Sequence, residues 1–359
     1  MRAERIAALL GALIASVACG GREVRRPDGA ADDAERLDAV ADAARPDGEE
    51  LADVGAPDDA PPPDATIRGW QPGPAADAPL QEIAAELLDD RIWVAGGFET
   101  PTRILDRVRI LDPRTGRWSD GPALPAPRHH LVLVAHGGDL YALGGMRDLS
   151  FEPLESAWVL RAGASSWTPI APLPEPRAAG TGASLAGHVL YAGGLTRGGR
   201  VAADVLRYDP ATDRWTRGAP MPTPREHLGG AVFDGELWTI AGRLGTLTTN
   251  HDTVEIYDPE ADRWRTGPAL GLRRGGCAAA AAPWAGLVVV AGGEQPDRAL
   301  TEVEWIRPGE PGARWTRAPD LGTARHGFAL VAAAGRLWAI GGADRPLFAA
   351  LASVETLEP

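Results

Sequence analysis

Seven histidines, two cysteines and 36 basic side chains are the residues with the means for chemistry in this chain of 359. Histidines that converge hold metals or move protons. His129, His130, His136, His188, His227, His251 and His326 are instead scattered along the sequence, and none of the closest pairs has the helix context of a metal motif. They read as satisfied loop or strand histidines. Cys277, in Gly275-Gly276-Cys277-Ala278, opens an apolar run with no base beside it, so it reads as a small core filler rather than a nucleophile. There is no GxSxG elbow, HExxH, P-loop or CxxC in the sequence. No catalytic residue, metal or cofactor is therefore assigned.

The basic side chains are all arginine, a bias that reads as base composition. Five of them keep step with a tryptophan ten residues earlier: Arg128, Arg177, Arg225, Arg274 and Arg325, with Leu80 at the same place in the first unit. Equivalent guanidinium groups are either a structural bond repeated in each unit or a recognition ring, and the structural reading leads.

The period itself determines the fold. A diglycine or its equivalent ends an apolar run at Gly96-Gly97, Gly144-Gly145, Gly193-Gly194, Ala241-Gly242, Gly292-Gly293 and Gly341-Gly342, spaced 48, 49, 48, 51 and 49. Trp70, Trp118, Trp167, Trp215, Trp264 and Trp315 recur in step, and the fifth unit carries two extra residues in its Ala-rich stretch from 278 to 286. Each unit reads as four short strands joined by Gly or Asp turns, with the third mostly closed by Asp-Pro or a relative of it. The second unit offers only Ala157 to Leu160 as its third strand.

Diglycine after a buried strand, an apolar or aromatic residue before Asp-Pro, then tryptophan: this pattern resembles the Kelch repeat over residues 66–359. The resemblance implies an all-β fold, a six-bladed β-propeller with one four-stranded sheet per blade. No Trp-Asp signature of the competing WD type recurs. The last unit ends at Leu357-Glu358-Pro359 without its tryptophan strand, so the N-terminal strand near Trp70, placed at Ile67 to Trp70, is expected to close the last blade and remove two open sheet edges.

In Kelch propellers the residues just after the repeated arginine, and those just after the diglycine, face the channel mouth. That resemblance makes His130, Arg147, Arg197, His227, Arg243, His326 and Arg345 the candidate site. Such a mouth suits a protein, an acidic peptide or an acidic glycan, because guanidinium forks hold carboxylates bidentately. Solvated loop charge is the alternative. Two enzyme families share the ring. Galactose-oxidase-like enzymes need a Cys-Tyr cofactor, and the four tyrosines here sit at repeated strand positions. Sialic-acid-mutarotase-like propellers find no diagnostic residue for or against them, which leaves a carbohydrate-active enzyme as the second functional class beside a binding module.

Residues 1–19 read as an export signal. Arg2 and Arg5 precede an apolar run from Ile6 to Ala18, shorter than the ~20 residues of a membrane span. Its end, Ser16-Val17-Ala18-Cys19-Gly20, resembles a bacterial lipoprotein signal with Cys19 as the lipid attachment site, although Ser16 stands where that family has an aliphatic residue. By the same resemblance Gly20 favours the outer membrane; periplasmic or extracellular release is the other reading. Residues 20–65 are an Ala/Asp/Pro-rich stretch. From Gly20 to Thr66 it holds 14 acidic and 5 basic side chains and so carries -9 of the net charge of -13. It has too few apolar groups to offset its ordering entropy and reads as a disordered tether. The acidic balance excludes a basic nucleic-acid binder, and two cysteines exclude a disulfide-stapled module. A monomer touching the membrane through its lipid alone is the expectation.

Overall fold

The computed structural model describes residues 69–359. The signal, Cys19, the acidic tether, Ile67 and Arg68 lie outside the described residues.

Short strands of alternating apolar residues, each stopped by a tight turn, form six four-stranded antiparallel sheets. Together they make the expected six-bladed β-propeller. In the fourth blade the strands run outward from the axis as Gly229–Phe233, Glu236–Ile240, Val254–Asp258 and Arg263–Thr266. Second strands are packed between neighbouring blades on both faces and so read as unbroken apolar runs. Leu287–Ala291 in the fifth blade is buried throughout. The third strand of the second blade is Ala157–Leu160, as the sequence suggests. The two extra residues of the fifth unit form a 3-10 turn, Pro283–Ala285, capped by Gly286 at φ +64°.

The ring closes at one residue range beyond expectation. The outer strand of the sixth blade is Gln71–Pro72, not a segment ending at Trp70, and it pairs with Val354–Leu357 through Gln71 opposite Thr356 and Pro72 opposite Glu355. The displacement has a physical reason. Trp70 is only 8% exposed, its ring packed into the sixth-blade core and its Nε1 donating to the Pro319 carbonyl of the fifth blade at 2.9 Å. The indole therefore occupies the seam, and chain pairing starts after it.

That bond repeats around the molecule. Trp118, Trp167, Trp215, Trp264 and Trp315 donate to Pro74, Pro122, Ala171, Ala219 and Pro268, each in the preceding blade, at 2.8–3.0 Å. The repeated arginine supplies a second inter-blade link. Its carbonyl accepts from the second glycine of the preceding blade, as in Gly145 N to Arg177 O at 2.8 Å, and Leu80 O takes the same bond from Gly342 N at 2.7 Å. The position before this link is tight, since a Cβ on Gly144 would sit 2.2 Å from the Arg177 oxygen; the fourth blade nonetheless carries Ala241 there, at φ +57°.

The arginine side chain turns into its own blade. Arg225 Nη1 donates to the carbonyls of Ala241 and Thr253 at 2.7 and 3.0 Å, and Nη2 donates to Glu255 at 2.9 Å. Arg274 pairs likewise with Glu304, and Arg325 with Glu355. Arg177 uses Glu175 and Asp204, while Arg128 lies over the Trp158 ring at 4.4 Å. The repeated arginine is thus structural, not a recognition ring.

Trp70→Ala removes a buried indole and its inter-blade bond, a cost of about 3–5 kcal/mol. For a domain of this size that lowers the melting temperature on the order of 6–10 °C, measured by circular dichroism. An unchanged melting temperature would refute the closure. Glu255→Ala strands a guanidinium that is 0% exposed and is expected to cost about 3–5 kcal/mol, whereas Arg225→Met with Glu255→Leu should cost less than the sum of the two single changes. Additive losses in chemical denaturation would show that the two side chains do not act as a pair.

Candidate functional site

Two residues after each repeated arginine the chain reaches the propeller axis. Glu82, His130, Ala179, His227, Gly276 and Gly327 occupy this position in successive blades, all with φ between +51° and +62°. In that conformation each N–H points at the previous blade. Glu82 donates to Gly327 O, His130 to Glu82 O, Ala179 to His130 O, His227 to Ala179 O, Gly276 to His227 O and Gly327 to Gly276 O, at 2.7–3.1 Å. The six bonds form a closed circle.

The circle brings side chains from distant parts of the sequence together at one end of the central channel. His130 Nε2 lies 3.0 Å from His227 Nε2 and 3.2 Å from Glu82 Oε2. Glu82, His130 and His227 each offer a ligand atom within 4.8 Å of the others, a set that suits a metal ion. Around them stand Glu226 against His227 Nδ1, and Arg243, which donates to Glu226 at 2.8 Å and to Glu294 at 2.7 Å. His326 Nδ1 is 3.6 Å from both Glu82 and Glu294. Burial disfavours the charged forms of His130 and His227. It pushes His130 down to about 3 with help from Arg243, and His227 well below its ordinary value. His129 is likewise driven to about 3 by burial and then by His130.

The sequence-expected site therefore divides. His130, His227, His326 and Arg243 converge in this buried cluster. Arg147, Arg197 and Arg345 stand exposed on the loops that follow the diglycines of the second, third and sixth blades. Arg147 and Arg345 each hold only the adjacent Asp148 and Asp344, at 3.3 and 2.9 Å. The repeat register brought His130, His227, His326 and Arg243 to one mouth, but nothing in the 97 residues between His130 and His227 signalled that their rings meet. Glu82, Glu226 and Glu294 also belong to the cluster; the repeat register, applied to Glu82, would have placed it beside His130. Cys277 is buried and burial raises its thiol, so it is not an activated nucleophile.

The channel encloses about 670 Å³. Its walls are the inner strands, with Val132, Val134, Ala183 and Ala231 at the apolar positions and Trp284 at the mouth away from the histidines. Where those residues stand, the first blade has Glu86, half-buried. Burial, offset only by the Leu87 N–H, pushes its carboxyl up to about 7.

Fold and site define the class: a six-bladed β-propeller with a polar cluster closing one end of its channel. Kelch repeats lie within that ring. The Kelch motif matches residues 82–125, 176–222 and 224–271. Kelch-like protein terF of Aspergillus terreus is 27% identical over 249 residues, covering 63% of this chain and 52% of that protein. Alpha-scruin of Limulus polyphemus is 25% identical over 211 residues, 55% of this chain and 23% of that protein. Human Kelch-like protein 23 is 29% identical over 195 residues, 54% of this chain and 33% of that protein. This chain thus spans about half or less of the length of these relatives. Among solved structures, that of YjhT superposes with a TM-score of 0.69 at 15% identity, over 79% of this chain and 96% of that one, a likeness of fold.

A raised carboxyl favours the protonated native state. Glu86 therefore contributes fully below its ordinary value of 4.5, and that contribution is lost as pH rises to about 7. Glu86→Gln, neutral at every pH, is expected to stabilise the protein by about 1–3 kcal/mol near pH 8 and to change nothing near pH 4. Thermal melts of both proteins across that range check it, and a pH-independent difference would contradict it.

Proposed function

We propose that this protein is an exported Kelch-repeat binding module, tethered at the cell envelope through a lipid on Cys19, that takes a protein or an acidic peptide or glycan on its loop face. The observation that carries the reading is the exposure of Arg147, Arg197 and Arg345 on loops from three blades at the same end of a rigid ring. The loops differ between blades while the scaffold repeats, which is where a propeller can hold specificity. Exposed pairs with an adjacent aspartate are weak, so these guanidinium forks can exchange that aspartate for a ligand carboxylate. Kelch repeats shared with Kelch-like proteins support a protein partner.

A second reading, a carbohydrate-active enzyme working in the channel, is favoured by one observation: Glu82, His130 and His227 line that channel together. Turnover of a free sugar without retention of a polymer separates it from the binding module.

The full chain and its Arg147→Ala/Arg197→Ala/Arg345→Ala variant, both immobilised, are to be compared for capture from envelope extract and for binding of an acidic peptide. The variant is expected to lose on the order of 10-fold or more in affinity, with most of the loss removed by raising salt. Equal binding by both proteins would overturn the loop-face assignment. Cys19→Ser is expected to move the protein from the membrane fraction to the soluble one, and an unchanged distribution would overturn the anchor.

A further inference from the structure

Hydrogen-bond partners assign the tautomers in the axial cluster. His129 Nε2 lies 3.2 Å from the Asp148 carbonyl, which can only accept, so that nitrogen carries the proton and His129 Nδ1 is bare. His129 Nδ1 faces His130 Nδ1 at 2.6 Å, which makes His130 Nδ1 the donor and leaves His130 Nε2 with a lone pair. On the other side His227 Nδ1 abuts the Glu226 carboxylate, which can only accept, so the proton belongs on that nitrogen and His227 Nε2 is bare as well. Two lone pairs therefore point at each other across 3.0 Å, with a Glu82 oxygen 3.2 Å from His130 Nε2. Three acceptors facing one another with no donor among them repel unless a cation lies between them.

Charge gives the same answer independently. The groups facing the cluster from all blades are Glu82, Glu226 and Glu294, one guanidinium from Arg243, and the imidazoles of His130, His227 and His326. Three carboxylates thus face a single guanidinium in a site where Glu226 is 2% and Glu294 4% exposed. A cation among them offsets that excess of carboxylate. Size agrees too. Ligand bonds of about 2.0–2.1 Å in a tetrahedron separate ligand atoms by about 3.4 Å, close to the spacing already present.

We propose that Glu82, His130 and His227 form a His2Glu site for a divalent ion of the zinc class, with its remaining position open to the channel. Imidazole and carboxylate donors suit zinc and its neighbours and not calcium or magnesium. Both histidines have their outer nitrogen held by a second group, His129 behind His130 and Glu226 behind His227, the arrangement that fixes ring orientation at metal centres. Gly327 completes the fit, since a Cβ there would fall 2.4 Å from Glu82 Oε1.

The test uses the full chain after chelator treatment and dialysis. Zn2+ is titrated by calorimetry, and Co2+ by its visible ligand-field absorption, a signature that structural disturbance alone does not create. One equivalent of each metal is expected, with zinc displacing cobalt. His130→Ala and His227→Ala should weaken binding on the order of 100-fold or more, and His129→Phe on the order of 10-fold, since outer partners cost less than ligands. The surface changes His136→Ala and His188→Ala should leave binding unchanged. Absence of a stoichiometric cobalt spectrum in the wild type overturns the site, and so does binding that survives loss of both His130 and His227. The wild-type spectrum decides the matter even where a variant fails to fold. The site does not depend on the loop-face reading, since Arg147, Arg197 and Arg345 are absent from it.

Discussion

A circle of six backbone hydrogen bonds around the axis is the constraint on which the rest of the structure depends. Each blade contributes one residue, and its N–H can reach the previous blade only if that residue takes a left-handed conformation. Glycine does this freely, but four of the six positions are not glycine, and a side chain there costs roughly 1–2 kcal/mol. Of those four, Glu82, His130 and His227 point their functional groups at one another, and Ala179 does not. Strain held at a functional site is a familiar pattern when the surroundings over-determine it. Here the surroundings are the circle itself and the arginine one turn outward.

Arginine serves three purposes in this chain, and environment separates them. At Arg225, Arg274 and Arg325 one planar fork reaches two carbonyls and a carboxylate at once, which a lysine ammonium on a flexible stem does not match. Arg243 bridges two buried carboxylates beside the axis, so its charge is committed inside the molecule. Arg147, Arg197 and Arg345 remain in solvent, where their partners can be exchanged.

The fold was legible because repetition multiplies weak signals. One diglycine or one tryptophan means little; six in step fix blade number, strand count and the way the ends meet. The outer strand of the last blade was misplaced by a few residues because Trp70 was taken as part of the strand when its ring is the seam and pairing begins at Gln71. The axial cluster was legible only in part: the register placed His130, His227, His326 and Arg243 at one mouth, but not Glu82 beside them. Its members come from the first, second, fourth, fifth and sixth blades, and spacing rules for metal sites describe neighbours on one element. The missing step was to apply the same register to the first unit, where Leu80 stands in place of the arginine, which would have added Glu82.

Departures from the repeat carry more information about function than the repeat does, and the first blade departs most. It has Leu80 where the others have arginine, yet keeps the backbone link to Gly342. With no guanidinium to receive, its third strand carries Arg109 where the fourth, fifth and sixth blades carry Glu255, Glu304 and Glu355, and Arg109 turns instead to Asp77 and Asp120. The buried charge has been reversed locally, and only outward partners satisfy it. On the same stretch the chain places Glu82 in the axial circle and Glu86 on the channel wall, two carboxyls where other blades have histidine, alanine, valine or glycine. Loss of the arginine therefore coincides with gain of acid at the axis, and the first blade adds the two carboxyls that no other blade carries at these positions.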